Sequence, residues 1–214
     1  MDVFSEAHTY PNEHPADSVS EIVPQHDEES HHSETEFKRV IAIAVDSSLY
    51  AQHAVNWAIK NYLQTTDLVV LLNARSFVTP PGTVYMDVAN WIDQQETFQR
   101  STSHKLLRST AARLKHLGFA TKAIALKGDI KDEIVRKAKE VHADALIVGS
   151  RGLGYFSRAL VGSVSDYAVH YAHCPVLVIK PSEEELNVLK LAQAALKDSA
   201  INVQAAEESV SSAM

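Results

Sequence analysis

The sequence predicts an open, doubly wound α/β domain on a parallel sheet of five strands. Two patterns carry that expectation. Five short, continuous, β-branched apolar runs recur along the chain, and a stripe of apolar residues at helical spacing separates each from the next. A third observation, a glycine-rich break directly after the fourth run, points to where a ligand would sit.

Residues 1–36 precede the first run and lack periodicity. They carry ten Asp/Glu, no Lys/Arg and few large apolar side chains, so they are expected to remain a disordered acidic tail. Their five histidines, including His31-His32, are irregularly spaced and read as a solvated tail before a metal tract. Arg39–Val45 (RVIAIAV) is the first strand, stopped by Asp46-Ser47-Ser48, whose side-chain oxygens suit a helix N-cap. Ala51, Ala54, Val55, Ala58, Ile59 and Tyr62 then form one helical stripe across 50–63. The second strand is Asp67–Ala74 (DLVVLLNA), and a loop containing Pro80-Pro81-Gly82 follows.

A long helix is predicted over 90–117, with Trp91, Phe98, Leu106, Leu107, Ala111, Leu114 and Leu117 near helical period and Gly118 as its stop. Thr121–Leu126 is the third strand. After a Gly128-Asp129 turn, 130–141 form a helix with Ile130, Ile134, Val135 and Ala138 facing inward. Asp144–Val148 (DALIV) is the fourth strand, the glycine-rich segment 149–163 opens into a helix to about Tyr171, and Pro175–Ile179 (PVLVI) is the fifth. The domain thus spans 37–181, and the tail 182–214 contains a part-helical stretch, Glu183–Lys197, with Leu186, Leu189, Ala192 and Leu196 on one side.

Composition narrows the function classes. The 214 residues are 45% apolar and 22% charged, an ordinary globular balance, and the single cysteine, Cys174, excludes an internal disulfide framework. No run approaches the about 20 apolar residues of a membrane span, and the opening residues show neither a secretory nor a mitochondrial leader pattern. A cytoplasmic location is the expectation. The formal net charge of −7 conceals a division: residues 37–181 hold 18 bases and 11 acids, while the tails are strongly acidic. A basic middle suits a phosphate-bearing ligand. Nucleic acid is disfavoured, because the bases neither cluster nor alternate with aromatics.

The chemistry concentrates where the first and fourth strands end. Asp46 closes the first. The fourth runs into Gly149-Ser150-Arg151-Gly152-Leu153-Gly154, followed by Gly162-Ser163 and an apolar helix. Phosphates are bound by inward-turned main-chain N–H groups, which a Cβ would obstruct. A helix start adds unpaired N–H groups and a favourable dipole. Arg151 and Arg158 are available as cations, though an arginine on a loop is more often solvated. The same glycines also suit tight turns and helix packing, and Asp46 also suits a helix cap. His170, His173 and Cys174 lie close together but lack a fourth ligand at metal-site spacing, and read as structural.

The spacing Gly149-x2-Gly152-x9-Gly162-Ser163 resembles the nucleotide-binding signature of the universal stress protein (UspA-like) family, in its ATP-binding subgroup. The surrounding VGSRGLGYFSRALVGSVSDYAVHYAHCPVLVIKP is similar nearly throughout, as are the V-D-S-S after strand one and the A-D-A-L-I-V before the glycines. The resemblance covers 37–181. It implies a Rossmann-like, adenine nucleotide alpha-hydrolase-like sheet of order 3-2-1-4-5, with ATP or AMP as ligand and Mg as a companion to the phosphates. It implies Asp46 and Ala74 at the adenine and ribose, Val148 and Gly149 along the ribose, and Gly152, Gly162, Ser163 and Val164 at the phosphates. Family members commonly read His-Val where this chain has Asn73-Ala74, and the smaller alanine implies a looser adenine wall.

A nucleotide-binding regulatory module acting in stress tolerance through a protein partner is the leading reading. A slow ATPase is the enzyme alternative, although no G-x-x-x-x-G-K-[ST] loop or base–nucleophile pair is evident. A ligand-free dimerisation scaffold is the third. The apolar fifth strand would be a hazard as a bare sheet edge, and pairing with its copy across a two-fold axis removes it; the resemblance implies that homodimer.

Overall fold

A computed structural model of the chain describes residues 20–21, 37–79, 88–152, 162–192 and 194. In chain order the elements are β1 (Ser20–Glu21), β2 (Arg39–Ala44), α1 (Leu49–Asn61), β3 (Asp67–Arg75), α2 (Val88–His116), β4 (Ala120–Lys127), α3 (Ile130–Glu140), β5 (Ala145–Gly149), α4 (Ser163–Tyr171) and β6 (Val176–Ile179). Strands β2 to β6 are parallel in the order β4-β3-β2-β5-β6. Counted from Arg39 onward, this is 3-2-1-4-5, the expected fold class. The order reverses between β2 and its neighbours β3 and β5, which opens a crevice at their C-terminal ends.

The apolar runs are continuous because both faces of the sheet are covered. On one face Ile41, Ile43, Val69 and Leu71 pack with Ala54, Val55 and Ala58 of α1 and Leu107, Ala111 and Leu114 of α2. On the other, Ala42, Val70, Leu72 and Leu146 pack with Ile134 and Ala138 of α3 and Ala168 of α4. Gly118 ends α2 in the left-handed region, φ 87°, where a Cβ is disfavoured.

The strand ends opposite the crevice are held by charge. Arg39 and Asp67, the first residues of β2 and β3, are in register. The guanidinium grips the carboxylate through Nε–Oδ1 at 2.9 Å and Nη2–Oδ2 at 2.7 Å. Asp67 also accepts from the Gln64 N–H at 2.8 Å.

Some sequence expectations need correction. Phe98, Leu117 and Ile130, which periodicity places inward, are 67%, 46% and 38% exposed. Leu117 lies beyond the last turn of α2, while Phe98 and Ile130 border the crevice. Within the segment expected to be disordered, Ser20–Glu21 pairs antiparallel with Ala125 and Ile124 of β4 and extends that edge. The rest of 1–36, the Pro80-Pro81-Gly82 loop and Arg158 lie outside the described residues.

After Pro181, residues 183–192 are helical. Their start is a reciprocal capping box: Ser182 N–H donates to Glu185 Oε2 at 2.8 Å, and Glu185 N–H donates to Ser182 Oγ at 3.1 Å. Glu185 Oε2 lies 3.8 Å from Nε2 of the buried His53, which brings this helix start to α1. Among the described residues no helix is long and apolar enough to cross a membrane.

Candidate functional site

The chain turns sharply where β2 ends. Asp46 Oδ1 accepts from the Ser48 N–H at 2.9 Å, and Ser48 caps α1, its Oγ accepting from the Ala51 N–H at 3.1 Å. Capping therefore falls to Ser48, and Asp46 braces the turn before it. At the end of β5, Gly149 passes so close to α1 that an added Cβ would stand 2.9 Å from the carbonyl carbon and oxygen of Tyr50. Packing alone demands glycine there. At Gly152 the nearest neighbour of an added Cβ is instead the Asp46 carboxylate, Oδ2 at 2.8 Å.

Main-chain bonds stitch the glycine segment to the sheet and to α4. The Ser150 N–H donates to Ile179 O at 2.8 Å, and Ser150 O accepts from the Gly162 N–H at 2.7 Å. Ser165 Oγ, also buried, lies 2.9 Å from Gly162 O and 3.3 Å from Ser150 O, sharing one proton between them. Gly162 is the N-cap of α4 and supplies no side-chain cap. The first turn of that helix borders the crevice, and a helix start carries unpaired N–H groups and the positive end of the dipole. Ser163 is the first helical residue and is exposed, so its hydroxyl does not cap the helix.

These elements enclose a cavity of about 470 Å³ at the C-terminal ends of the strands. All eight residues singled out from the sequence line it: Asp46 after β2, Ala74 on β3, Val148 and Gly149 on β5, Gly152, and Gly162, Ser163 and Val164 at the start of α4. Arg151 lines it too, its guanidinium 5.8 Å from the Tyr50 ring centroid.

Other lining residues escaped the sequence reading. The C-terminal half of α2 packs on the sheet, while Phe98, Gln99, Thr102 and Ser103 on earlier turns form a wall of the cavity. Asn73 at the end of β3 is buried, donating from Nδ2 to Val45 O at 2.7 Å and accepting from Ser103 Oγ at 2.5 Å. A signal for both existed. Asn73 is the polar break in an apolar strand, and Ser103 is the polar member of the buried stripe Ser103–Leu107–Ala111–Leu114.

Arg75, on the cavity wall, is held by Glu96 of α2: Nη1–Oε2 is 2.5 Å, and Lys127 Nζ lies 3.0 Å from Glu96 Oε1. Burial pushes the Glu96 carboxyl up, but hydrogen bonds and charge from Arg75 and Lys127 outweigh it and leave the carboxyl below its ordinary 4.5. A carboxylate with a depressed folded-state pKa stabilises the fold above its unfolded value, and that contribution is lost as pH falls through the folded value. Wild type is therefore expected to exceed Glu96→Gln in melting temperature at neutral pH, with the gap closing as the buffer is taken below 4.5. A gap independent of pH would contradict this pairing.

Among the described residues no group of three or more His, Cys, Asp or Glu is placed to hold a metal. The His170 ring is engaged, its Nδ1 2.8 Å from Asp166 O. Cys174 is half-buried against the core, and burial raises its thiol pKa, away from a reactive thiolate. Asp46 is the only carboxylate among the described lining residues. Any Mg here would therefore be carried mainly by ligand phosphates and water, with Asp46 as the one acidic side chain near it.

The fold and the crevice define a doubly wound α/β domain with a ligand-sized site at the topological switch point. The chain belongs to the universal stress protein family, whose model matches residues 38–180. It is 32% identical over 162 residues to universal stress protein PHOS34 of Arabidopsis thaliana, covering 67% of this chain and 62% of that protein. It is 31% identical over 145 residues to a universal stress protein A-like protein of the same plant, covering 64% and 82%. The chain thus spans somewhat under two-thirds of PHOS34. Among solved structures it resembles hypothetical protein MJ0577 (TM-score 0.60, 22% identity, covering 69% of this chain and 99% of that one). It also resembles the Arabidopsis thaliana family protein At3g01520 with AMP bound (TM-score 0.52, 24% identity, 69% and 94%). At these identities the likeness is one of fold.

Proposed function

We propose that this protein is an adenine-nucleotide-binding regulatory module that takes ATP or AMP into the crevice between β2, β3 and β5. The observation that carries the reading is the single cavity uniting the glycine segment, the uncapped start of α4 and an apolar wall. Its volume of about 470 Å³ falls within the roughly 300–1,000 Å³ of small-molecule sites. The main-chain N–H groups from Ser163 onward suit phosphate, and Arg151 adds a cation beside them. Asp46 suits ribose hydroxyls, which donate to a carboxylate. Phe98 and Ile130, left partly bare at the mouth, offer apolar contact to a flat base. The relative crystallised with AMP and another fold neighbour in complex with cAMP support the same ligand class.

A binding role is favoured over turnover because Asp46, Arg75 and Arg151 are the only charged side chains among the described lining residues. No base–nucleophile pair is assembled from them. The same proposal makes the module a cytoplasmic homodimer paired through the edge strand β6 and signalling by contact with a protein partner; the apolar edge strand supports the pairing.

Saturating AMP or ATP is expected to raise the melting temperature. At 100 times the dissociation constant the stabilisation is about 2.7 kcal/mol, or about 5–10 °C for a chain of this size. ATP incubated with stoichiometric protein is expected to remain intact over hours. No thermal shift with either nucleotide would remove the reading, and steady ADP production would replace it with an ATPase.

A further inference from the structure

The cavity is chemically divided. At one end the start of α4 presents N–H groups suited to an anion. On the side of α2 the wall is apolar, built from Phe98 and Leu106, and its buried polar feature is the pair Asn73 and Ser103. These two residues are 8% and 5% exposed. If phosphates occupy the α4 end, the base falls to the Asn73–Ser103 end.

The direction of each hydrogen bond in this pair follows from what the groups can do. The main-chain oxygen of Val45 can only accept, so the atom 2.7 Å from it must be the amide nitrogen of Asn73. That fixes the amide and turns Oδ1 toward Ser103 Oγ, 2.5 Å away. An amide oxygen also only accepts, so the one hydroxyl proton of Ser103 is committed to it. What Ser103 offers to a cavity ligand is therefore its lone pairs alone.

We infer that Ser103, locked by Asn73 and through it by Val45, acts as an acceptor-only reader of the purine six-position and selects a six-amino over a six-oxo base. This inference rests on the cavity being a nucleotide site, and it goes further by assigning two residues that set which base is taken. An exocyclic amine donates to Ser103 Oγ. A six-oxo group would set lone pair against lone pair in a desolvated corner, leaving both acceptors unpaired. Adenine is accepted and hypoxanthine or guanine resisted, by a device that needs no charged side chain.

The test compares AMP with IMP, which carries oxo in place of amino at the six-position together with an N1 proton. Binding is measured by calorimetric titration of the full-length protein. Wild type is expected to bind AMP about tenfold more tightly than IMP. Ser103→Ala should bring that ratio close to one. Asn73→Leu should do the same although Ser103 is retained, because its freed hydroxyl can rotate and donate to a six-oxo group. A residue that merely supports the fold would weaken both nucleotides alike and leave the ratio unchanged.

AMP binding without discrimination in wild type, or a ratio that survives in both variants, overturns the inference and leaves the nucleotide reading standing. Failure of wild type to bind either nucleotide overturns both together. Circular dichroism of each variant establishes that it is folded. Should one not fold, the wild-type ratio and the other variant decide.

Discussion

Arg39→Ala is expected to lower the unfolding free energy by about 3–5 kcal/mol, the cost of leaving a buried charge without its partner. The carboxylate left behind, Asp67, is fully buried, while Arg39 is 31% exposed. The asymmetry makes the converse substitution milder: in Asp67→Ala the guanidinium can turn to water, and the loss reduces to a small cavity and an unanswered Gln64 N–H. Removing both residues should cost less than the sum of the single changes, since the double variant retains no stranded charge. Urea titration of wild type, both single variants and the double variant closes the cycle. Equal losses in the two single variants would show that burial of Asp67 does not set the cost. The pair sits at the end of the sheet away from the crevice, so nucleotide affinity of the folded protein should be unaffected.

The second large effect separates two glycines that look alike in the sequence. Gly149→Val places its Cβ against the main chain of Tyr50 and Ala51, at 2.9 and 3.1 Å. Neither backbone can rotate aside, so a stability loss at or above about 3 kcal/mol is expected. Gly152→Val meets a side chain instead. Asp46 can swing from the new methyl groups at the cost of its bond to the Ser48 N–H, about 1 kcal/mol. The fold should survive while the displaced carboxylate and the added bulk fill the crevice, and AMP affinity should fall by about 100-fold. Thermal unfolding and AMP titration of the two variants distinguish the roles. A Gly152→Val protein that binds AMP normally would remove Gly152 from the site.

Element boundaries were legible because each element carries its own periodic signal. Strands buried on both faces appear as unbroken runs such as Val69–Leu72, and helices appear as stripes such as Ala51–Ala54–Val55–Ala58. Where a helix leaves the sheet the signal misleads. Phe98 continues the apolar stripe of α2, yet no sheet lies beneath it, and it borders the cavity instead. Ile130 repeats this at the first turn of α3. The candidate site was legible to the extent that its residues lie in one stretch of chain: the glycine spacing from Gly149 to Ser163 can be seen without coordinates.

The sequence by itself determined the alternation of strands and helices, the family, and the stretch of chain with bare amides, because hydrophobic period and glycine spacing are local properties. Only the tertiary structure decided which side chains meet. Ser103 reaches Asn73 across 30 positions, and Arg39 reaches Asp67 across 28. Likewise, only the folded chain separates Gly149, which faces a backbone, from Gly152, which faces a carboxylate. Hydrogen-bond direction and steric clearance depend on distances of a few tenths of an ångström between segments remote in the chain, and those distances are set when the helices dock on the sheet.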